Sequence, residues 1–399
     1  MGGASTRVSN IVAALERNGH EVTVVTAFPH YPHGRIPQEY RGKLFSVERC
    51  GRTKVVRVWI PGKPHKGIAN RFIIYSSFTL SALIGLLFCR RTQIAWAISP
   101  NYLCMIPAVA CRITTGSKII HDVVDVWPGA MKATGYSFPS FLVRIASVVA
   151  GLSYIFSNVI VTVSDSMASS LRKLAPHNVP IVIVENCVSR EFFEVPPKEP
   201  GNQWNIMYLG TLSPSNDFST ILDAARLVAS RKRVQFSIAG SGELSSWIRR
   251  NISAKGLSNV KLSAEMIEHA RVPGWLATAD ALVIPLKNGF GDVSFPIKLC
   301  EYLASARPVI CTVDGQLGNL MSAEKIGLAI KPGDPRALAN GIEILHSDPE
   351  LCREFGMKGR EYAREHFSMD SFTEKVDNTM ALVLTDRNLE PILETGLKN

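Results

Sequence analysis

Short apolar runs and longer mixed segments alternate along this chain. Glu21-Val-Thr-Val-Val-Thr, Val55-Val-Arg-Val-Trp, Ile94-Ala-Trp-Ala-Ile, Lys118-Ile-Ile-His-Asp-Val, Val159-Ile-Val-Thr-Val and Ile181-Val-Ile-Val-Glu-Asn each have the length of a strand. A second series begins at Ile206-Met-Tyr-Leu-Gly. It continues through Val234-Gln-Phe-Ser-Ile-Ala-Gly, Val260-Lys-Leu, Ala281-Leu-Val-Ile-Pro, Pro308-Val-Ile-Cys-Thr and Gly327-Leu-Ala-Ile. Segments of helical character fall between them, at 164–173, 217–231, 243–255, 273–279, 296–305 and 335–347. Strands alternating with helices predict βαβ units and parallel sheets. The pattern therefore predicts an α/β chain of two doubly wound, Rossmann-like domains. Residues 1–188 form the first and 206–366 the second. The linker 189–205 is rich in Pro, Glu and Gly, and a helical tail, 367–399, is expected to pack back on the first domain. Ligands in such folds bind at the carboxyl ends of the strands, so two facing domains enclose a cleft. One departure is expected. Gly2-Gly3-Ala4-Ser5-Thr6-Arg7 leads into a helix over 8–18 with no strand before it. Either the given start is late or the first domain lacks its first strand.

The charge is uneven. The chain of 399 residues has a formal net charge of +10. Residues 1–200 hold 22 Lys and Arg against 11 Asp and Glu; residues 201–399 hold 22 against 23. The first half thus carries all of the excess, which suits an anionic membrane surface or a nucleic acid. No motif interleaving basic and aromatic residues is present, so a nucleic acid is not expected. Residues Phe72–Cys89 are uncharged, with Arg71 before them and Arg90-Arg91 after. Their serines and threonine dilute the run. A helix in the membrane interface, a buried core helix and a transmembrane span all remain open. No hydrophobic leader precedes residue 8. The eight cysteines are scattered without metal-ligand spacing, so reduced buried thiols are expected and no metal site.

The chemistry concentrates in Pro285-Leu-Lys-Asn-Gly-Phe-Gly-Asp-Val-Ser-Phe-Pro-Ile-Lys-Leu-Cys-Glu301-Tyr-Leu-Ala. A strand leads into a glycine loop with Gly289 and Gly291. Ser294 is expected to cap the next helix and Pro296 to sit in its first turn. Lys298 and Glu301, three apart, share a helix face. Backbone N–H groups and the helix dipole favour phosphate here. A carboxylate one turn in suits sugar hydroxyls, so a ribose-bearing nucleotide diphosphate satisfies both halves.

In order and spacing, the motifs resemble those of the GT-B glycosyltransferases of family 4. The likeness is strongest to the branch building bacterial O-antigen and exopolysaccharide, of the L-fucosamine/N-acetylhexosamine transferase type. The motifs are the Gly2-Gly3 opening with Asn18-Gly-His-Glu-Val-Thr-Val-Val-Thr, Phe28-Pro-His-Tyr-Pro-His-Gly, Tyr40-Arg-Gly-Lys-Leu, Asp125-Val-Trp-Pro and Pro296-x-Lys298-x-x-Glu301-Tyr302-x-Ala304. The resemblance implies retaining, metal-independent transfer of a sugar, of the N-acetylhexosamine type, from a UDP-sugar. The acceptor it implies is polyprenyl-diphosphate-linked or a growing glycan, in surface polysaccharide synthesis. The expected location is cytoplasmic, peripheral on the inner face of the cell membrane. No Asp-x-Asp is present; Asp122-Val-Val-Asp125 has the wrong spacing. No cofactor is expected, the nucleotide sugar being a substrate.

By the same resemblance, Glu301 binds the ribose and Lys298 faces the diphosphate. Asp292, nine residues before Glu301, holds the transferred sugar with the backbone of Phe290, Gly291, Val293 and Ser294. Gly210 and Thr211 form a donor loop, Gly240 and Gly242 a turn near the nucleotide, and Glu265 and Met266 the base contact. Gly2 and Gly3 approach the phosphate from the first domain. Asp125 contacts sugar or acceptor; where many members place a histidine before it, this chain has Val124. Asp125 and Asp292 are thus the candidate catalytic residues, and His30, Tyr31 and His121 the candidate acceptor side. Two alternatives stay open: a UDP-sugar 2-epimerase of the same fold, and a non-catalytic nucleotide-sugar-binding partner in a glycan assembly complex.

Overall fold

A computed structural model describes residues 3–30, 34–63, 67–89, 91–99, 101–133, 139–198, 203–230 and 233–385. In the first half, α1 (Gly3–Arg17), β1 (Thr23–Ala27), β2 (Phe45–Cys50) and β3 (Thr53–Val58) come first. Then follow α2 (Ile68–Gly85), β4 (Ile94–Ile98), α3 (Met105–Thr115), β5 (Lys118–Val123), α4 (Gly129–Ala133) and α5 (Ser140–Ile155). β6 (Val159–Thr162), α6 (Asp165–Arg172) and β7 (Ile181–Ile183) complete it. Ser164 caps α6, its hydroxyl accepting from the Met167 amide at 3.3 Å, as the sequence predicts.

The strands form two sheets: β1–β3–β2, and a parallel β4–β5–β6–β7. In the doubly wound order 3-2-1-4-5, the strand preceding α1 would lie between β1 and β4. Among the described residues none does, and the sheet divides at that position. β2 was not expected; Phe45–Cys50 pairs antiparallel with β3 across the Gly51-Arg52 turn. Arg7 on α1 ties the region together. Its guanidinium meets Asp122 at 2.8 Å and donates to the Val184 carbonyl at 2.9 Å, with both side chains fully buried. Pairing and additional hydrogen bonds are what make a buried charge tolerable.

In the second half, α7 (Arg190–Phe193) stands within the expected linker, and β8 (Trp204–Leu209) begins the sheet. Next come α8 (Phe218–Leu227), β9 (Val234–Ala239), α9 (Ser245–Ala254), β10 (Val260–Ser263), α10 (Val272–Leu276), β11 (Ala281–Ile284) and α11 (Ile297–Ala304). β12 (Val309–Thr312), α12 (Gly315–Ala323), β13 (Leu328–Ile330), α13 (Pro335–Ser347), α14 (Pro349–His366) and α15 (Met369–Leu384) finish the chain. The six strands make one parallel sheet in the order β10–β9–β8–β11–β12–β13. The connection leaves β8 for β9 and returns to β11 on its other side. Doubly wound sheets bind their ligands at such a switch point, which here lies beside the carboxyl ends of β8 and β11. The linker is not all loop: its Phe192 is buried in the core with the preceding Val188 and with Leu299, Tyr302 and Phe367. α15 crosses back, where Phe372, Val376 and Val383 pack with Ile11, Ala14 and Leu15 of α1.

Candidate active site

α11 starts beside the switch point. Lys298 reaches back over β8. Its ammonium donates to the Tyr208 hydroxyl at 2.8 Å and lies 4.6 Å from that ring's centroid. Burial lowers its pKa to about 8, because a desolvated ammonium is costlier than a neutral amine. The Tyr208 hydroxyl in turn donates to the Thr211 carbonyl at 2.6 Å. Lys298 is therefore fixed against the loop that leaves β8. Gly210 there has φ +151°, and a Cβ on it would come within 3.2 Å of the Lys298 side chain. Gly240, at φ +133°, packs on that same loop, where any Cβ would collide with the Gly210 carbonyl; one on Gly242 would strike Leu212. The glycine turn after β9 is thus set by close packing beneath the Gly210–Leu212 loop.

One turn along α11, Glu301 meets the Nε2 of His269 at 2.8 Å. The carboxylate raises the pKa of His269, burial opposing it, and the imidazole packs against Phe192 at 5.3 Å between centroids. His269 precedes α10, after the loop carrying the exposed Glu265 and Met266. Sequence reasoning missed it, since no local spacing joins residues 32 apart.

The segment before α11 belongs as much to the other domain. The Val126 amide donates to the Val293 carbonyl at 2.9 Å, and Asp125 and Ser294 form an isolated antiparallel bridge. Ser166, in the first turn of α6, donates to Asp292 Oδ1 at 3.2 Å and to the Gly291 carbonyl at 3.3 Å; Ser170 donates to the Asp292 carbonyl at 3.2 Å. A Cβ on Gly129 would lie 2.7 Å from Val293, so only glycine permits this approach. Ser166, Ser170 and Gly129 gave no sequence signal, because their partners lie in the other half of the chain. Burial raises the Asp125 pKa to about 6 against the effect of the Ser294 hydrogen bond.

Several expectations need correction. Ser294 does not cap α11, which starts at Ile297 behind Pro296 with no side-chain cap bond. The bridge to Asp125 has drawn Ser294 into the domain junction, where it is buried. His121 does not face an acceptor. It is fully buried, edge-on to Tyr102 at 5.3 Å, and burial lowers its pKa to about 3, which keeps it neutral. Asp292 is exposed, yet its carboxylate is shared with Ser166 and lies against Gly315 at the start of α12. Phe290 packs on the second-domain core. His30 bonds the Phe28 carbonyl through Nδ1 at 2.8 Å. Gly3 opens α1; Gly2 and Tyr31 lie outside the described residues.

α2 and the turn after it carry residues 72–89. Ile74, Thr79 and Ala82 are buried, Gly85 abuts Val25 of β1, and Lys54 bonds the Phe88 carbonyl at 3.0 Å. One face is packed on the sheet and the opposite face is exposed.

Residues 2–187 match the family described as glycosyl transferase 4-like domain, and residues 189–362 match glycosyl transferases group 1. Among relatives is the putative colanic acid biosynthesis glycosyl transferase WcaI of Escherichia coli K12. It is 23% identical over 380 residues, covering 88% of this chain and 91% of that one. The O-antigen chain mannosyltransferase C of Escherichia coli is 25% identical over 183 residues, 46% of this chain and 47% of its own. Sucrose-phosphate synthase of Thermosynechococcus elongatus superposes with a TM-score of 0.78 at 16% identity, covering 96% and 93% of the two chains. WaaG, a glycosyltransferase involved in lipopolysaccharide biosynthesis, gives 0.68 at 13% identity over 96% and 97%. Together with the paired parallel sheets and the Lys298–Glu301 face, these matches identify the chain as a GT-B glycosyltransferase of the family 4 type.

Proposed function

We propose that the protein transfers a sugar, of the N-acetylhexosamine type, from a UDP-sugar to a polyprenyl-linked or growing glycan acceptor in surface polysaccharide biosynthesis, with retention and without a metal. The observation that carries the donor half is the α11 face. Lys298 sits against the Gly210 loop at the end of β8, and Glu301 follows one turn on. A partly desolvated ammonium at a helix start is suited to the charge that builds on a departing diphosphate. Glu301, with one oxygen engaged by His269, has the other for a ribose hydroxyl pair. Anabaena HepE, a structural neighbour with a TM-score of 0.66, is described in complex with UDP and glucose. The colanic acid and O-antigen names of the relatives favour a polysaccharide context.

In this reading Asp125 meets the sugar or acceptor from the first domain. The leaving phosphate takes the acceptor proton, and Asp292 orients the segment that carries the transferred sugar. The test uses radiolabelled UDP-N-acetylhexosamines with membrane lipid extract. Label in the lipid fraction, lost in Glu301→Ala and Lys298→Ala, is expected. Release of an epimerised nucleotide sugar, or binding without turnover, would replace transfer with the epimerase or the non-catalytic reading.

A further inference from the structure

α5 shows solvent a row that soluble helices ordinarily bury. Phe141, Ile145, Val148, Leu152 and Ile155 recur at three- and four-residue steps, so they form one stripe, and each is 49–62% exposed. The opposite face, with Ala146, Ala150 and Tyr154, is buried. α2 and the turn that continues it repeat the arrangement: Leu80, Ile84 and Leu87 are exposed at 67%, 43% and 71% on the face turned away from the sheet. α3 adds Ile106 and Ile113 at 50% and 80%. The three helices are neighbours. α2 packs on α3, and the turn at Tyr102–Cys104 touches both α2 and α5. Three exposed apolar stripes side by side exceed what a monomer surface normally leaves open.

The charge around them has one sign. From residue 49 to residue 121 the chain has eleven Lys and Arg and no Asp or Glu, and from 126 to 164 two and none. Arg71, Arg112 and Arg144 lie on these helices themselves. A second copy is a poor occupant, because a two-fold contact sets each patch against itself and would bring the arginines together. An anionic bilayer accepts both components, acyl chains for the stripes and headgroups for the cations. α2 cannot span it while one face stays packed on the sheet.

We infer that α2, α3 and α5 form one shallow membrane-docking face that inserts its aliphatic stripes into an anionic lipid leaflet, with the helices lying in the interface rather than crossing it. Vesicle binding requires no nucleotide sugar, so its failure would leave the transferase reading standing.

The experiment is sedimentation of the full chain with vesicles of phosphatidylcholine alone or of phosphatidylcholine mixed equally with phosphatidylglycerol. Binding to the anionic vesicles, weakened by salt and much weaker on neutral ones, is expected. Ile145→Glu with Leu152→Glu in α5, and separately Leu80→Glu with Ile84→Glu in α2, should each lower partitioning at least about tenfold. Their exposed positions should leave the circular dichroism spectrum and melting temperature unchanged. A Leu152→Trp variant gives an independent readout, since brominated acyl chains should quench the added indole. No binding to either vesicle, undiminished binding of both double variants, or an indole that brominated lipid leaves unquenched would overturn the inference. So would a dimer in light scattering that the same substitutions disperse while vesicle binding is nil.

Discussion

Replacing Lys298 with methionine separates the charge from the stem that carries it. Burial holds the ammonium at a pKa of about 8 against an ordinary 10.5. That displacement corresponds to about 3 kcal/mol for keeping the group charged at neutral pH in the empty site. Methionine occupies similar volume, and Tyr208 keeps its 2.6 Å bond to the Thr211 carbonyl. Lys298→Met should therefore stabilise the ligand-free protein at pH 7 by about 2–3 kcal/mol, or roughly 4–8 °C in melting temperature. The pH dependence fixes the sign. Between pH 8 and about 10.5 the unfolded chain holds the proton that the native lysine has released, so wild-type stability gains from this group as pH rises. The methionine variant lacks that gain. The charge should be regained as affinity: a charge-assisted hydrogen bond to phosphate is worth about 1.5–3 kcal/mol. UDP should then bind the variant about 10- to 150-fold more weakly. Differential scanning fluorimetry across pH, with and without UDP, and calorimetric titration read both effects. A variant that melts lower than wild type at pH 7 and still binds UDP normally would refute the placement of Lys298 at the diphosphate.

Three further outcomes are expected. His269→Ala should raise the donor KM about three- to tenfold with kcat nearly unchanged, and His269→Gln should recover much of the loss; because Glu301 raises the histidine's pKa, the pair's stabilisation is full below about pH 6.5 and fades as pH rises past the native value. For Asp125, with its pKa pushed up to about 6, the native state holds the proton more tightly, so stability should fall as pH rises from about 4 to 6; Asp125→Asn should remove that fall, and transfer by wild type should decline as pH drops through about 6 if the carboxylate is the active form. Ser166→Ala deletes the hydroxyl whose one proton is shared between Asp292 Oδ1 and the Gly291 carbonyl across the domain junction, worth about 1–2 kcal/mol, and should shift small-angle scattering toward a more open molecule while lowering kcat/KM.

The parallel architecture was legible because each core strand is a continuous apolar run that no helix period fits. β2 escaped because most of its side chains face solvent; Phe45, Val47, Arg49 and Cys50 are all exposed, and burial gave no run to follow. Lys298 and Glu301 could be read because a helix puts residues three apart on one face whatever surrounds it. Their partners could not. Tyr208 reads as a core strand residue, and His269 lies in an irregular loop. Ser294 shows the limit of local rules: a residue well suited to capping a helix took a partner in the other domain, and no pattern within residues 285–304 carries that information. His121 failed for the reason opposite to His269. It lies on a strand, but its side chain is closed in by Tyr102 and Tyr154.

The segment 285–301 is divided between two loyalties, and this division bears on turnover. Its helical end is fastened to the second domain through Lys298 and Tyr208, while its loop is held by the first domain through Val126, Ser166 and Ser170. The loop is held by one backbone bond, hydroxyl bonds of 3.2–3.3 Å, and the packing of Val293 and Phe295 on the first-domain core around Val126 and Tyr154, with Val293 closing on Gly129. Each hydroxyl bond is worth about 1 kcal/mol at most, since water replaces it on opening. Serine contacts can be broken and remade on the timescale of a hinge. The position of Asp292 thus depends on α6 and the Asp125–Ser294 bridge, so under the proposed function the end of the segment assigned to the sugar is set by the domain assigned to the acceptor. Under the proposed function, a donor held by Lys298 and Glu301 would meet Asp292 in its observed position only with the two domains docked as they are here.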